Sequence, residues 1–366
     1  MSLVVFPFKE EDPSVVAANL ATAARHDRVD EVWAVAASEG AAMAGVVDVA
    51  AEIGAAGRAP VRVFAQQRLG RYRSGKGDGM NTAIAMAAEK GFDRVHFYDA
   101  DITNFDEGWI EGAETAVDHG YGVVRHRFPR AATDAMITWM VTRPGLALLF
   151  PGTLLPRLGQ PLGGELLLTS DVVEALAVND FVVARSDWGI DTVLTHATSL
   201  SGGGIYEHNA PDGKRHALYG SLTDIREMLL ECVDAVASLR GRRPPRTGFD
   251  ADAPAPVPSD LKQTVAFDLD STRASISEPP DAAESAVLSG LGLDPGGLGE
   301  MDAETWSQIY PRLLEGFDLN DRGWQSAVFR LWVERVIHYT THQVPLGYDR
   351  AMTFLEETIV DFEGSP

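Results

Sequence analysis

Three Asp-x-Asp triplets stand out: Asp99-Ala-Asp101, Asp250-Ala-Asp252 and Asp268-Leu-Asp270. Two carboxylates one residue apart can offer oxygen ligands to a hard divalent cation, or they can cap a turn or a helix. The triplet by itself does not choose, so context must. Only the first ends an apolar run that reads as a buried strand, Val95-His-Phe-Tyr98. In a parallel α/β sheet, ligands bind beyond the carboxyl ends of the strands, so Asp99 and Asp101 are placed for a cation. His216, structural if alone, becomes a further metal ligand beside them, because imidazole with carboxylates suits a Mn- or Mg-like site. The second triplet falls in a Pro-rich polar segment and is expected to be solvated.

The third triplet, in Asp268-Leu-Asp-Ser-Thr, resembles the nucleophile segment of haloacid-dehalogenase-like phosphatases, but those need a downstream lysine and none follows Lys262. A basic, glycine-rich loop is a better anion candidate: Gln66-Gln-Arg-Leu-Gly-Arg-Tyr-Arg-Ser-Gly-Lys-Gly-Asp-Gly-Met-Asn81. Arg68, Arg71, Arg73 and Lys76 outnumber Asp78, and Gly70, Gly75, Gly77 and Gly79 would let backbone N–H groups approach a phosphate. It is not a Walker loop, since glycine rather than Ser or Thr follows Gly-Lys. A second basic cluster, Arg125-His-Arg-Phe-Pro-Arg130, runs on into Thr133-Asp-Ala-Met-Ile-Thr-Trp139. There the Arg130 guanidinium could hold a small carboxylate bidentately, or form a surface salt bridge. Pro161-Leu-Gly-Gly-Glu165, Ser186-Asp-Trp-Gly-Ile-Asp191 and Gly213-Lys-Arg-His-Ala-Leu-Tyr-Gly220 mix glycine with ionisable groups, as site loops do.

These loops need a scaffold, and residues 1–125 supply its pattern. Short Val- and Phe-rich runs at 3–6, 32–36, 61–65, 94–98 and 122–125 alternate with helical stretches, the first opened by Asp12-Pro13. That alternation predicts an α/β fold, a mostly parallel Rossmann-like sheet with helices on both faces. Further strands are expected at 165–168 and 205–207, and a helix at 223–239. A domain over 1–240, a Pro-rich linker over 241–263 and a mainly helical region over 264–366 follow from the composition. Trp306, Ile309 and Leu313, then Trp324, Val328, Leu331, Trp332, Val336 and Tyr339, recur at three-and-four spacing and read as packing.

Composition narrows the function classes. With 53 acidic against 31 basic side chains the net charge is −22, which argues against a nucleic-acid surface. Only five of those basic residues are lysines, a bias that high-salt adaptation and GC-rich coding explain equally well. One cysteine, Cys232, excludes an internal disulfide framework. No apolar run approaches a membrane span, so a cytoplasmic enzyme acting on small molecules is expected, with no nucleic-acid or membrane partner. Assembly into a homo-oligomer stays open.

The strings Leu3-Val-Val-Phe-Pro-Phe-Lys9, Gly75-Lys-Gly-Asp-Gly-Met-Asn81, His96-Phe-Tyr-Asp-Ala-Asp-Ile102, Thr133-Asp-Ala-Met-Ile-Thr-Trp139, Gln160-Pro-Leu-Gly-Gly-Glu-Leu166 and Arg185-Ser-Asp-Trp-Gly-Ile-Asp191 occur in this order. In them the chain resembles the mannosylglycerate synthases, retaining glycosyltransferases of the GT-A fold. The resemblance covers residues 1–235 and returns loosely at Leu331-Trp and Gly347-Tyr-Asp349. It implies transfer of α-mannose from GDP-mannose to the 2-hydroxyl of D-glycerate, giving a compatible solute, with Mn or Mg as cofactor. It further implies that Pro7, Phe8, Lys9, Gln66, Lys76, Asp78 and Ala100 face the nucleotide and that Asp99 touches its ribose. Asp101 and His216 would hold the cation, and Asp191 the sugar hydroxyls. Arg130, Asp134 and Thr138 would grip glycerate, Leu162 and Gly163 would line the reaction centre, and Tyr219 would complete the catalytic set. The chain departs from the family at Ala217, where a basic residue is expected. The nearest rival, glucosyl transfer to 3-phosphoglycerate, would need an extra phosphate grip near 125–130; the donor sugar and base are not legible in these residues. A nucleotidyltransferase would carry its glycine-rich loop directly after the first strand, where Pro7-Phe-Lys-Glu-Glu stands instead.

Overall fold

The computed structural model describes residues 1–210, 212–216, 220–245, 247–299 and 301–364. An eight-stranded sheet forms its organising layer: β1 Ser2–Phe8, β2 Glu31–Ala36, β3 Val61–Ala65, β4 Arg94–Phe97, β5 Val123–Arg127, β6 Leu166–Thr169, β7 Ile205–Asn209 and β8 Phe249–Ala251. Their spatial order is β3-β2-β1-β4-β6-β5-β7-β8. All neighbours are parallel except β6, which runs antiparallel to both β4 and β5. The first five strands fall where the Val- and Phe-rich runs predict them. Helix α1, Pro13–Arg25, opens with the expected cap, Asp12 accepting from the Ser14 N–H; α2 spans Ala41–Ala56. Val4 and Phe6 of β1, Val32 and Ala34 of β2, Val16 and Leu20 of α1 and Val46 of α2 share one buried cluster. Burying each Val, Leu or Phe among them is worth about 1.5–3 kcal/mol, enough to hold the strand ends rigidly.

The reversed strand decides which residues meet at the end of β4. Its register pairs Leu166 with Phe97 on one side and with Arg125 on the other. An antiparallel strand enters the sheet where its neighbours leave it, so the 160–165 segment arrives beside the residues after β4.

The chain divides into two compact units whose boundaries differ from the expected ones. The first comprises Met1–Pro129, Leu158–Ala217 and Pro245–Pro256, and the second Arg130–Arg157, Leu218–Pro244 and Val257–Pro366. Residues 130–157 therefore group with the C-terminal helices, not with the sheet. The 241–263 segment, read as a linker, contributes edge strand β8 and a short helix, Ser259–Gln263.

Within the second unit the aromatic stripes pack as expected. Trp306, Tyr310, Trp332 and Tyr339 are buried. Residues Thr138–Thr142 form one turn of π-helix, whose wider hydrogen-bonding leaves carbonyls for other donors. Trp306 Nε1 donates to the Met140 carbonyl at 2.9 Å and the Tyr310 hydroxyl to that of Val141 at 2.6 Å. The Asp268 side chain caps the helix Leu269–Ala274 by accepting from the Ser271 N–H, a structural role for the third triplet. No helix among the described residues is long and apolar enough to cross a membrane.

Candidate active site

Beyond the carboxyl end of β4, five ionisable side chains form a chain of contacts. Lys76 Nζ lies 3.0 Å from Asp191 Oδ2 and 2.9 Å from Asp99 Oδ1; Lys214 binds Asp99 Oδ2 and, at 2.6 Å, Glu165 Oε1. The order is Asp191–Lys76–Asp99–Lys214–Glu165, three carboxylates against two ammonium groups. Lys76 opens helix α3, Lys76–Lys90, and Asp191 lies in the first turn of the helix Ile190–Thr198. Glu165 reaches Asp99 because of the antiparallel entry of β6.

Burial opposes every one of these charges, and the partners decide the outcome. Burial pushes the Lys76 ammonium down, but Asp191 and then Asp99 overcome it and raise its pKa overall. Burial likewise raises Asp99, yet Lys214 and Lys76 hold it well below the usual carboxylate range. Asp191 and Glu165, at the ends of the chain with one lysine each, stay raised, chiefly by burial. Each end also leaves one buried oxygen without a hydrogen-bond partner among the described residues, Asp191 Oδ1 and Glu165 Oε2. A buried acceptor of this kind is costly unless something fills it.

Gly164 is what lets Lys76, Asp99 and the loop coexist. A Cβ there would stand 2.3 Å from Lys76 Nζ and 2.6 Å from Asp99 Oδ1. Just before it, the fully buried Arg125 of β5 gathers the 160–163 turn by donating from Nη2 to the carbonyls of Gln160, Pro161 and Gly163, at 3.4, 3.4 and 3.0 Å. Arg125 is thus an internal brace and not part of a basic surface cluster. It shapes the turn that carries Leu162 and Gly163.

The glycine-rich loop also differs from its expected use. A Cβ at Gly77 would meet the Arg185 carbonyl at 2.4 Å, and one at Gly70 would meet Ser186 Cβ at 2.5 Å. These glycines let the loop and α3 press against residues 184–186, so they serve packing; the Asn81 amide reinforces that contact by donating to the Val182 and Arg185 carbonyls. Asp78, expected to face the nucleotide, is fully buried. Its carboxylate accepts from Arg68 Nη1, the Leu69 and Gly70 N–H groups and the Ser74 hydroxyl, so it staples the loop. Gln66 and Pro7 do converge: both lie within 3.5 Å of where a Gly79 Cβ would stand. Phe8 is buried in the core, whereas Lys9 at the end of β1 is exposed.

Asp101 and His216 meet across the same edge, Nδ1 to Oδ2 at 4.0 Å. Ala100 between the two acidic residues is buried, and the buried Asn19 of α1 pins the turn by donating to the Ala100 and Ile102 carbonyls at 3.1 and 3.0 Å. Glu11 adds a third carboxylate. Its pKa is raised, first by burial and further by Asp101 and Asp99, which places it in their field. Among the described residues no three His, Cys, Asp or Glu side chains gather as a closed metal cage. A His–Asp pair open to one side fits a Mg²⁺- or Mn²⁺-like ion, which is usually completed by waters and substrate phosphates.

In the second unit Arg130 Nη1 contacts Asp134 Oδ2 at 2.8 Å, and Asp134 Oδ1 accepts from the Ala135 N–H. Ala135 has φ 56°, a left-handed conformation that costs a non-glycine residue energy and often marks a functional turn. Thr138 follows, buried, at the start of the π-turn. Tyr219 lies outside the described residues. Lys214, Glu165, Glu11 and Asn19 were missed from sequence; only Lys214 and Glu165 had a signal, as members of glycine-bearing loops.

The mannosylglycerate synthase GT-domain model matches residues 2–238, and that family's C-terminal-domain model matches 297–359. The mannosylglycerate synthase of Rhodothermus marinus is 44% identical, the match spanning 97% of this chain and 92% of that protein. For the Selaginella moellendorffii mannosylglycerate synthase the values are 40%, 98% and 89%. Among solved structures, glucosyl-3-phosphoglycerate synthase from Mycobacterium tuberculosis with Mn²⁺, UDP and glucosyl-3-phosphoglycerate superposes with TM-score 0.53 at 20% identity, covering 66% of this chain and 80% of that one. At that identity the likeness speaks for the fold alone, the GT-A fold.

Proposed function

The chain belongs to the mannosylglycerate synthase family, and on that premise we propose that it transfers a mannosyl group from GDP-mannose to the 2-hydroxyl of D-glycerate, with retention and with Mn²⁺ or Mg²⁺ as cofactor. The observation that carries the reading is the Asp101–His216 approach at the mouth of the sheet, two residues after the Asp99 that shares Lys76 with Asp191.

In the reaction the bond from C1 of mannose to the diphosphate oxygen breaks, and a bond from C1 to the glycerate 2-oxygen forms on the same face. The hydroxyl proton passes to the departing diphosphate. A cation held by Asp101 and His216 would neutralise charge on that diphosphate. Lys76, permanently protonated between its carboxylates, adds a fixed positive charge that needs no reorganisation as the bond breaks. Asp191 Oδ1 accepts a sugar hydroxyl and is thereby satisfied. Arg130 takes the acceptor carboxylate through its planar guanidinium, with Asp134 and Thr138 orienting the hydroxyls.

The glucosyl reading needs a second anion grip near residues 125–130; there Arg125 commits Nη2 to three backbone carbonyls, while its buried Nε and Nη1 have no partner among the described residues. A matrix of donors (GDP-mannose, GDP-glucose, UDP-glucose) against acceptors (D-glycerate, 3-phosphoglycerate) decides the point. GDP-mannose with D-glycerate should give GDP and mannosylglycerate fastest. Preferential turnover of a glucosyl donor with phosphoglycerate would replace this reading by the glucosyl one.

A further inference from the structure

Lys214 is absent from the expected site, yet it is the link between the cation pair and the charged chain below it. The segment carrying His216 is stitched to the residues after Asp101 along its backbone. The Thr103 N–H and hydroxyl donate to the Arg215 carbonyl at 2.8 and 3.1 Å, the Arg215 N–H donates to Asn104 Oδ1 at 2.9 Å, and Asn104 Nδ2 donates to the Gly213 carbonyl at 2.9 Å. The Thr103 hydroxyl and Arg215 N–H bonds are exposed, where water competes for them, and the Asn104–Gly213 bond is part-buried. Lys214, on the opposite side of the segment, turns inward and is 7% exposed, and it reaches Asp99 and the wholly buried Glu165.

From this geometry we propose that Lys214, with Glu165 as its counter-ion, is a positioning residue for cation binding. It clamps the His216 segment onto the end of β4 and fixes the Asp99 carboxylate that also orients Lys76. Burying an ion pair contributes little to stability, because desolvation offsets the attraction, whereas deleting one partner leaves an uncompensated charge. The pair specifies where His216 stands relative to Asp101. This inference rests on the reading of Asp101 and His216 as cation ligands.

The test is direct binding of Mn²⁺ in the presence of GDP, read from the electron paramagnetic resonance signal of free Mn²⁺, alongside thermal unfolding. Four chains are compared: wild type, Lys214→Arg, Lys214→Met and the double variant Lys214→Met/Glu165→Gln. The double variant removes one charge of each sign, so the chain of five keeps its net charge and the fold is preserved even where the single Lys214→Met fails to fold. Wild type and Lys214→Arg should bind alike. The double variant should unfold near the wild-type temperature while its Mn²⁺ affinity falls tenfold or more. Double-variant affinity within threefold of wild type would overturn the proposal, as would recovery of affinity in step with stability. Wild-type protein that binds no Mn²⁺ with GDP would instead sink the cation reading itself, which separates the two failures.

Discussion

Asp99 and Asp101 follow β4 in the middle of the sheet, while Asp250 lies in edge strand β8 and Asp252 directly after it. The two triplets are identical, Asp-Ala-Asp, and both lie in the sheet-bearing unit. At the edge every acidic side chain is occupied by its own scaffold. Asp252 accepts from the Tyr206 hydroxyl, from the Asn209 N–H at 2.8 Å and faces His208 Nδ1 at 2.8 Å, and Asp250 accepts from the Tyr121 hydroxyl at 2.6 Å. At the centre Asp99 is shared by two lysines and Asp101 meets His216 across 4.0 Å, a gap no hydrogen bond spans. The lesson is that carboxylates spent on scaffold bonds hold a structure, whereas a carboxylate left open at a central strand end, as Asp101 is, can hold a ligand.

The contrast breaks if central substitutions behave like edge ones, and four measurements order themselves by expected effect. Asp191→Ala removes the buried oxygen assigned to a sugar hydroxyl together with one partner of Lys76. It should lower kcat/KM by on the order of a hundred- to a thousandfold, the usual cost of losing one preorganised polar contact, with the far-ultraviolet circular dichroism unchanged. A fall of threefold or less would mean that Asp191 is scaffold like Asp252. Gly164→Ala comes next, because its Cβ can be accommodated only by moving the flexible end of Lys76 and the Asp99 carboxylate. Turnover should fall about tenfold or more at almost constant melting temperature, since a small misplacement of a charged group is costly for catalysis.

The third measurement uses the opposite end of β4, where Glu114 accepts from His96, Ser2 and Arg94. Burial raises the Glu114 pKa, but those bonds, His96 first, outweigh it and hold it at about 2, against an ordinary 4.5. A depressed folded value means the stabilisation is complete above the ordinary pKa and disappears as pH falls through 4.5 towards 2. The urea midpoint should therefore drop across that window, and Glu114→Gln should flatten the drop; parallel curves for the two proteins would refute the assignment. Smallest is Asp252→Asn, which weakens a part-buried set of hydrogen bonds worth about 1 kcal/mol and should leave kcat/KM within a factor of two. A large loss of activity there would erase the contrast between centre and edge.

Much of this was legible in the sequence. Strands β1 to β5 could be placed because each is a short Val- or Phe-rich run, the first three followed by helical stretches, and Asp12-Pro13 announced α1. The family strings brought Lys76, Asp101 and Asp191 forward as well, and the glycine-bearing 213–220 loop offered His216. What escaped depends on long-range register. Nothing in Leu166–Thr169 says that this strand runs antiparallel, yet that direction brings Glu165 to Asp99. Burial is equally silent in sequence: Arg125 reads as the first member of a basic cluster and Asp78 as a ligand contact, and both are buried braces. The grouping of 130–157 with the C-terminal helices escaped because the bonds that define it come from Trp306, Tyr310 and Tyr339, more than 160 positions away.

The central claim is that Asp101, not merely an Asp-Ala-Asp triplet, holds the cation on which sugar transfer depends. It is tested most directly by stripping wild-type, Asp101→Ala and Asp252→Ala proteins with EDTA and following GDP release from GDP-mannose and D-glycerate as Mn²⁺ is restored. Wild type and Asp252→Ala should recover together, while Asp101→Ala stays inactive at every Mn²⁺ concentration. Full recovery of Asp101→Ala at the wild-type Mn²⁺ concentration would contradict the account.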